Sequence, residues 1–450
     1  MLQQDRLHLK APGAWINDPN GFIYFRGEYH LFYQFFPYGL EWGTMHWGHA
    51  VSRDLVHWEH QKIALFPTKS YDQNGCFSGS AIEENGKLYL FYTAVKYKAF
   101  DEENVHVIVN EQFESSQALL IAEDGYHFDN FGAKRQIIPP IADRALGDRT
   151  HTRDPKVWKQ GEQFYMVLGS KTADNEGKLL FYRSDDLLDW EYVNACMKPG
   201  FGHMWECPDL FQVRLDGGQQ ANVLIMSPEG IKEDSLYPSH AVCSVVSFEH
   251  ENCELVLPDS FQMVDCGEDL YAPQTHVDAE GRRVMIAWMR MPMAVRYEDG
   301  REPWIGMMAL PRVIEVQEGH IYFRVHPQVK RSFTEEISSA EQLDFQEPFW
   351  IQADLNAGEF LDIGGYQIRI EDDRLKADRS GVFAGLKGHG LKFQTPKLQG
   401  NYRLDIFVEP NLIEVFVNDG QYVLSNVVYG LKPYVKGRAD CKIRVMKKQF

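Results

Sequence analysis

No apolar run reaches the roughly 18 residues that a membrane-spanning helix needs. The opening residues, MLQQDRLHLKAPG, are polar and charged where a secretory signal requires an apolar stretch. Both absences predict a cytoplasmic protein with no membrane partner. Cysteine is sparse and scattered: Cys76, Cys196, Cys207, Cys243, Cys253, Cys266 and Cys441 form an odd set without a CxxC pair. That excludes a disulfide framework and a zinc cluster, so the set is read as free thiols that mostly pack. Positive charge is in deficit, with 46 Lys and Arg against 64 Asp and Glu, a net charge of −18 and a pI near 5.4. An acidic field without a basic stripe repels phosphate backbones, which excludes nucleic acid as a partner. Helical periodicity is also nearly missing before about residue 325.

What is present is aromatic residues and short strands. Aromatics reach 13% within an otherwise ordinary globular composition of 44% hydrophobic and 24% charged residues. Five times a polar turn containing glycine leads into an alternating or apolar strand. The turns lie at Gly27 (FRGEYHLFY), Gly86 (ENGKLYLFY), Gly161 (KQGEQFYMV), Gly217 (LDGGQQANVLIM) and Gly281 (AEGRRVMIAW), successively 59, 75, 56 and 64 residues apart. Glycine suits a hairpin turn because a Cβ penalises positive φ. A second phrase recurs with a similar period: SRDLVHW at 52–58, AEDGYHF at 122–128 and SDDLLDW at 184–190. A four-stranded unit at this period reads as a β-propeller blade, and five hairpins predict five blades. An irregular β-sandwich is the alternative on the repeat alone.

After Pro311-Arg312 the texture changes. VHPQVKRSFTEE (325–336) reads as a connector or short helix, and EFLDIGGYQIRI, YRLDIFVE and LIEVFVNDGQYVL alternate like sandwich strands. The expected fold is all-β: a five-bladed propeller over residues 1–325, followed by a β-sandwich with an N-terminal connector over 326–450.

Chemistry-bearing residues lie shortly before the glycine turns: WINDPNG (15–21), FSGSA (77–81), RDPKVW (153–158), WECPDLF (205–211) and YAPQTHV (271–277). Asp18, Asp154 and Glu206 precede their turns by 9, 7 and 11 residues, comparable places in three blades. First strands of a propeller line its central channel, so the three carboxylates are expected in one pocket. An Asp-Pro pair alone is an ordinary turn former and an Arg-Asp pair an ordinary surface ion pair. The weight lies in their joint recurrence, because clustered carboxylates raise one another's pKa and structural proteins avoid them. One acid kept protonated beside another kept ionised is the arrangement that glycosidases use. Trp15, Trp42, Trp47, Phe77, Trp205, Trp288 and Trp304 lie near these motifs, where flat rings suit a sugar, but Trp47, like Trp58 and Trp190, is read as core.

These motifs together resemble glycoside hydrolase family 32, which contains invertases, sucrose-6-phosphate hydrolases, inulinases and levanases. WINDPNG is similar to the family's nucleophile motif and EWGTMHWGHAVSRDLVHW (41–58) to its tryptophan-rich stretch. FSGSA, RDPKVW, WECPDLF, GEDLYAPQTH (267–276) and ALPR (309–312) follow in family order, and LIEVFVNDG (412–420) resembles a sandwich motif. The resemblance implies a propeller followed by a sandwich, no metal or other cofactor, and retaining release of a terminal β-fructofuranosyl unit through a covalent fructosyl-enzyme. It assigns Asp18 as nucleophile, Glu206 as acid/base and Asp154 as transition-state stabiliser. Asn17, Gln34, Trp42, Phe77, Ser78, Arg153, Tyr271 and Trp288 are then sugar-contacting positions.

The chain departs from the common pattern at 95–117, at GDRTHTRDP, and at Glu409 and Asn411, where the family more often has Asp and Ser. The last two bear on domain packing. Sucrose, sucrose 6-phosphate and short fructo-oligosaccharides remain open as substrates. A phosphate would need local cations, which Lys96, Lys98, Arg144, Arg149 and His151 could supply unless Asp143 and Asp148 neutralise the arginines. A fructosyltransferase would use the same three acids, a non-catalytic sugar-binding relative would normally lose one, and an arabinan-cleaving propeller fits the WECP and WINDPNG wording less well. Oligomeric state is not legible.

Overall fold

Every glycine turn read from the sequence closes a hairpin between the first two strands of a sheet in the computed structural model. Arg26-Gly27 and Asn85-Gly86 both have positive φ at the two turn residues, the type I′ geometry whose twist matches a tight hairpin. The structure describes residues 4–215, 217–231, 239–383, 386–438 and 441–447, so Asp216 of the fourth turn lies outside it.

Among the described residues, five antiparallel sheets of four main strands follow one another along the chain. Blade one comprises Ala14–Phe25, Glu28–Phe36, His46–Ser52 and His57–His60; blade two Cys76–Glu84, Lys87–Tyr97, Phe113–Ala122 and Lys134–Ile138. Blade three comprises Arg153–Gln160, Gln163–Lys171, Gly177–Ser184 and Glu191–Met197; blade four Met204–Arg214, Gln220–Glu229, Val242–Glu249 and Glu254–Val256. Blade five comprises Leu270–Val277, Arg283–Met289, Arg312–Gln317 and His320–Val325. Gln4–Arg6 adds an outer strand to blade one, and Trp304–Ile305 pairs parallel to its first strand, tying blade five to blade one and covering an edge. The recurring Asp phrase also has a structural basis. Asp54, Asp124 and Asp186 each accept two backbone N–H bonds from the turn between the third and fourth strands of their blades, with Leu55, Gly125 and Leu187 at positive φ.

The apolar clusters lie between blades. Phe25, Phe32 and Trp47 of blade one meet Leu88, Leu90 and Tyr92 of blade two; Phe91 and Leu119 meet Val157 and Phe164 of blade three; Val167 and Phe181 meet Trp205 and Leu224 of blade four. Interblade cores of this kind fit a propeller and not an irregular sandwich.

A short helix, Pro327–Ser332, follows the last blade. A β-sandwich then packs a sheet ordered Glu335–Ile337, Cys441–Val445, Phe349–Leu355, Tyr402–Glu409, Leu412–Val417, Tyr422–Val427 against one built from Lys392–Gln394, Arg374–Asp378, Tyr366–Glu371, Phe360–Ile363 and Val435–Gly437. Phe407, Leu412, Phe416 and Val423 continue the propeller core across the junction. Glu409 joins the same junction, 2.9 Å from Lys10 Nζ, whereas Asn411 bonds within the sandwich to the Val428 carbonyl. Cys76, Cys196, Cys207, Cys243 and Cys253 are free thiols. Among the described residues no helix is long and apolar enough to cross a membrane.

Candidate active site

The first strand of every blade breaks register at the same stretch: between Ile16 and Pro19, Phe77 and Gly79, Arg153 and Lys156, Glu206 and Asp209, and Tyr271 and Gln274. Extra residues at such bulges kink a strand and re-aim its side chains. Asp154, Cys207 and Ala272, each preceding a proline, sit at φ +64°, +47° and +49°. Proline disfavours the helical region for its predecessor, and a non-glycine residue at positive φ is strained, so the surrounding sheets hold these three in place.

This geometry corrects the equivalence of the three acids. The residues before the Pro steps, with Ser78-Gly79 standing in for blade two, are Asp18, Ser78, Asp154, Cys207 and Ala272. Blade four thus presents Cys207, not Glu206, at the level of Asp18 and Asp154. Glu206 lies one residue outward, at the level of Asn17, Phe77, Arg153 and Tyr271. The spacing count missed this because the fourth hairpin is longer and its bulge is set by sheet register.

The inner level is tightly knit. Ser78 Oγ donates to Asp18 Oδ2 at 2.6 Å, and Asn17 Nδ2 donates to Oδ1 at 3.2 Å. Cys207 Sγ is 3.6 Å from both Asp18 Oδ2 and Asp154 Oδ2, and its backbone N–H donates to Asp154 at 2.9 Å. Thr93 Oγ1 accepts the Asp154 N–H at 2.9 Å. Directly beneath, Pro19, Gly79, Pro155, Pro208 and Pro273 converge on a void of about 10 Å³, room for no more than a water. Below that level Lys156 pairs with Asp209 at 2.9 Å, and Gln274 bonds the Gly79 carbonyl at 2.7 Å and the Phe22 N–H at 3.0 Å. The axis is plugged, and the pocket is blind.

At the outer level Glu206 accepts from Arg153 Nε at 3.0 Å and Nη2 at 2.8 Å, and from the Tyr271 hydroxyl at 2.6 Å. Arg153 also contacts His151, which lies 3.4 Å from Glu111 of the unusual 95–117 segment. Trp42, exposed, meets Phe77 edge-on at 5.3 Å, and Trp288 meets Trp15 at 5.9 Å; Trp15 Nε1 donates to Asn17. Gln34 is buried and bonds the Cys76 carbonyl at 3.0 Å. Trp47 and Trp58 are core, and Trp190 packs half-buried against Phe91. Trp205 and Trp304 are not platforms: both are buried, bonded to the Phe201 carbonyl and the Tyr297 hydroxyl. The anticipated cation group is divided. Lys98 and Arg149 are neutralised by Glu114, at 3.1 and 2.8 Å, instead of by Asp143 or Asp148, whose carboxylates accept loop N–H groups.

The electrostatics separate the acids in the sense opposite to the expected one, raising Asp18 and lowering Glu206, so the acid's proton needs a source beyond Glu206 itself. Burial lifts Asp18, and the Glu206 charge adds to this against the bonds from Ser78, Asn17 and Cys207. Burial and the charges of Glu206 and Asp18 push Asp154 up to about 7 despite Arg153. Burial acts on Glu206 too, but the Arg153 charge and the bonds from Tyr271 and Arg153 outweigh it and hold this carboxyl below its ordinary range. Glu229, which the sequence reading missed, is pushed up to about 8 by burial and the Glu206 charge. Its only sequence signal is an acid beside the apolar run VLIMSP.

A blind axial pocket of unequal carboxyls with aromatic rings at its rim, on a five-bladed propeller, defines a glycosidase. Residues 8–327 match the Glycosyl hydrolases family 32 N-terminal domain and residues 368–444 the Glycosyl hydrolases family 32 C terminal. The chain belongs to glycoside hydrolase family 32. It is 34% identical to a sucrose-6-phosphate hydrolase of Escherichia coli, over 94% of this chain and 88% of that protein, and 33% identical to a raffinose invertase of the same organism with the same coverage. A solved sucrose-6-phosphate hydrolase from Lactobacillus gasseri superposes with a TM-score of 0.81 at 26% identity, covering 98% of this chain and 93% of that one.

Proposed function

We propose that this enzyme is a β-fructofuranosidase that releases the terminal β-D-fructofuranosyl unit of sucrose or sucrose 6-phosphate with retained configuration, in the cytoplasm. The catalytic groups belong to a propeller unit of residues 1–325, with 326–450 as its sandwich and connector. The observation that carries this reading is the blind pocket, with Asp18 and Asp154 both against Cys207 and Glu206 one step nearer the mouth. A closed floor supports cleavage of a chain end, because no further unit can extend along the axis beneath it. The names of the relatives supply the fructosyl donor.

Glu206, protonated, gives its proton to the glycosidic oxygen while Asp18 attacks the anomeric carbon; the C–O electron pair leaves with that oxygen. Ionised Glu206 then takes a proton from water, whose oxygen displaces Asp18. Asp154 receives fructose hydroxyls, whose donated bonds favour its ionised form and set a negative charge against the developing oxocarbenium ion. Asn17, Gln34, Trp42, Phe77, Ser78, Arg153, Tyr271 and Trp288 line and orient this subsite.

The test is kcat/KM of the parent and of Glu206→Gln on sucrose and sucrose 6-phosphate, with products identified at high sucrose. The variant is expected to lose about 10²- to 10⁴-fold, the scale of general acid/base work. Near-parental turnover refutes the Glu206 assignment, and oligosaccharides as the dominant products refute hydrolysis in favour of transfer.

A further inference from the structure

Glu229 ends the second strand of blade four, where it pairs with Met204, while Glu206 two residues on pairs with Ser227. Residues two apart along a strand share a face, so Glu229 is the diagonal neighbour of Glu206. The two carboxyls bear on each other, the Glu206 charge raising Glu229, and Arg153 Nη2 faces both, 2.8 Å from Glu206 Oε1 and 3.7 Å from Glu229 Oε1. Two buried carboxylates side by side disfavour double ionisation, so the pair holds one proton between them. Glu206 already accepts three bonds from Arg153 and Tyr271, so the shared proton belongs to Glu229.

We infer that Glu206 and Glu229 act as a pair holding one proton, in which Glu229 is a positioning residue that stores the proton and passes it to Glu206 when the substrate is bound. The inference rests on Glu206 being the acid/base. The proton moves from Glu229 to Glu206 and then to the glycosidic oxygen as the C–O bond breaks and the Asp18 bond forms. It returns from the attacking water to Glu206 and back to Glu229, leaving the pair unchanged after a cycle. The groups facing the pair are Arg153 from blade three with His151 behind it on the approach to that blade, His203 from the approach to blade four at 3.2 Å from Glu229, Tyr271 from blade five, and Asp18, Asp154 and Cys207 from the inner level. Burial and the Arg153 and Lys171 charges hold His151 down to about 4, so it stays neutral and cannot be the reservoir. Two coupled acids lose protons in two steps, and burial with the Glu206 charge pushes Glu229 up to about 8, which makes its proton the later one to leave. The singly protonated pair is the form with a proton to give.

The experiment is the pH profile of kcat/KM on sucrose and on 4-nitrophenyl β-D-fructofuranoside for the parent, Glu229→Gln and Glu229→Asp. Glutamine still donates to Glu206 but stores no proton, so the alkaline limb on sucrose is expected to move about two pH units toward acid. On the aryl fructoside, whose phenolate leaves without a proton, the shift is expected to shrink below about half a unit. Glu229→Asp keeps a titratable carboxyl and is expected to keep the limb within about half a unit of the parent. It is the deciding arm if the amide variant does not fold, and a limb displaced by more than about one unit there overturns the pair. A Glu229→Gln limb coinciding with the parent's, or displaced equally on both substrates, also overturns it. These results are distinct from failure of the Glu206 assignment, which appears as near-parental sucrose turnover by Glu206→Gln.

Discussion

Replacing Arg312 with Met tests what locks the sandwich to the propeller. Arg312 is fully buried; its Nη2 lies 2.7 Å from Glu414 Oε2, 2.9 Å from Asp265 Oδ2 and 2.7 Å from Ser425 Oγ. Glu414 is equally buried. Burial pushes its carboxyl up, but the Arg312 charge and the bonds from His8 and the Leu310 N–H prevail and hold it at about 2, against 4.5 for an ordinary glutamate. That difference corresponds to about 3 kcal/mol of stability at neutral pH. A depressed carboxyl contributes fully above its unfolded value, and its contribution is lost as pH falls from 4.5 toward 2. Without the cation, Glu414 and Asp265 are left buried with only neutral backbone and hydroxyl donors and His8 beside them. The Glu414 pKa then rises above its unfolded value, and the sign reverses: the folded state binds the extra proton, and stability falls as pH rises. Breaking a buried pair from one side costs about 3–5 kcal/mol. Urea unfolding of Arg312→Met at pH 7 should show that loss, and at pH 5 a smaller one. A loss under about 1 kcal/mol at pH 7, or one that grows on acidification, refutes the reasoning.

Ser78→Ala removes the 2.6 Å bond to Asp18, and charge-assisted bonds of this kind are worth about 1.5–3 kcal/mol, so kcat/KM should fall about 10- to 100-fold. The Asp18 carboxyl should also titrate higher, carrying the acid limb of the pH profile upward; a variant within about twofold of the parent contradicts the role given to Ser78. Burial holds His30 down to about 4 and its neighbour His49, 3.1 Å away, well below 6.5. The unfolded chain therefore binds protons that the folded one refuses, and stability should drop as pH falls from 6.5 toward 4, by about 3 kcal/mol from His30 alone. Unfolding free energies at pH 7 and 4.5 should show this slope, reduced in His30→Asn, and an undiminished slope in that variant counts against it.

Local chemistry made much of this protein legible without coordinates. Gly27 and Gly86 mark hairpins because positive φ is a property of the residue and its neighbour. The Asp54, Asp124 and Asp186 phrases recur because each aspartate closes its own turn. The alternation of apolar residues after residue 330 reports a sheet with one buried face, and the motifs at Asp18, Asp154 and Glu206 belong to contiguous short segments. What depended on distant chain stayed hidden. The step between Glu206 and Cys207 comes from a bulge, which exists only when two strands are in register. Glu229 meets Glu206 across a hairpin, and Glu114, not Asp143 or Asp148, neutralises Arg149, 35 residues away. Trp205 has a sugar-site sequence context but faces an interblade core. Arg312 and Glu414 are 102 residues apart, each a charge within an apolar run. The sequence by itself determined turns, strand faces and the inventory of reactive groups, because these depend on a few adjacent residues. Only the tertiary structure decided which carboxyl stands beside which cation, because charge interactions follow distance in space and burial, and neither is a property of a segment alone.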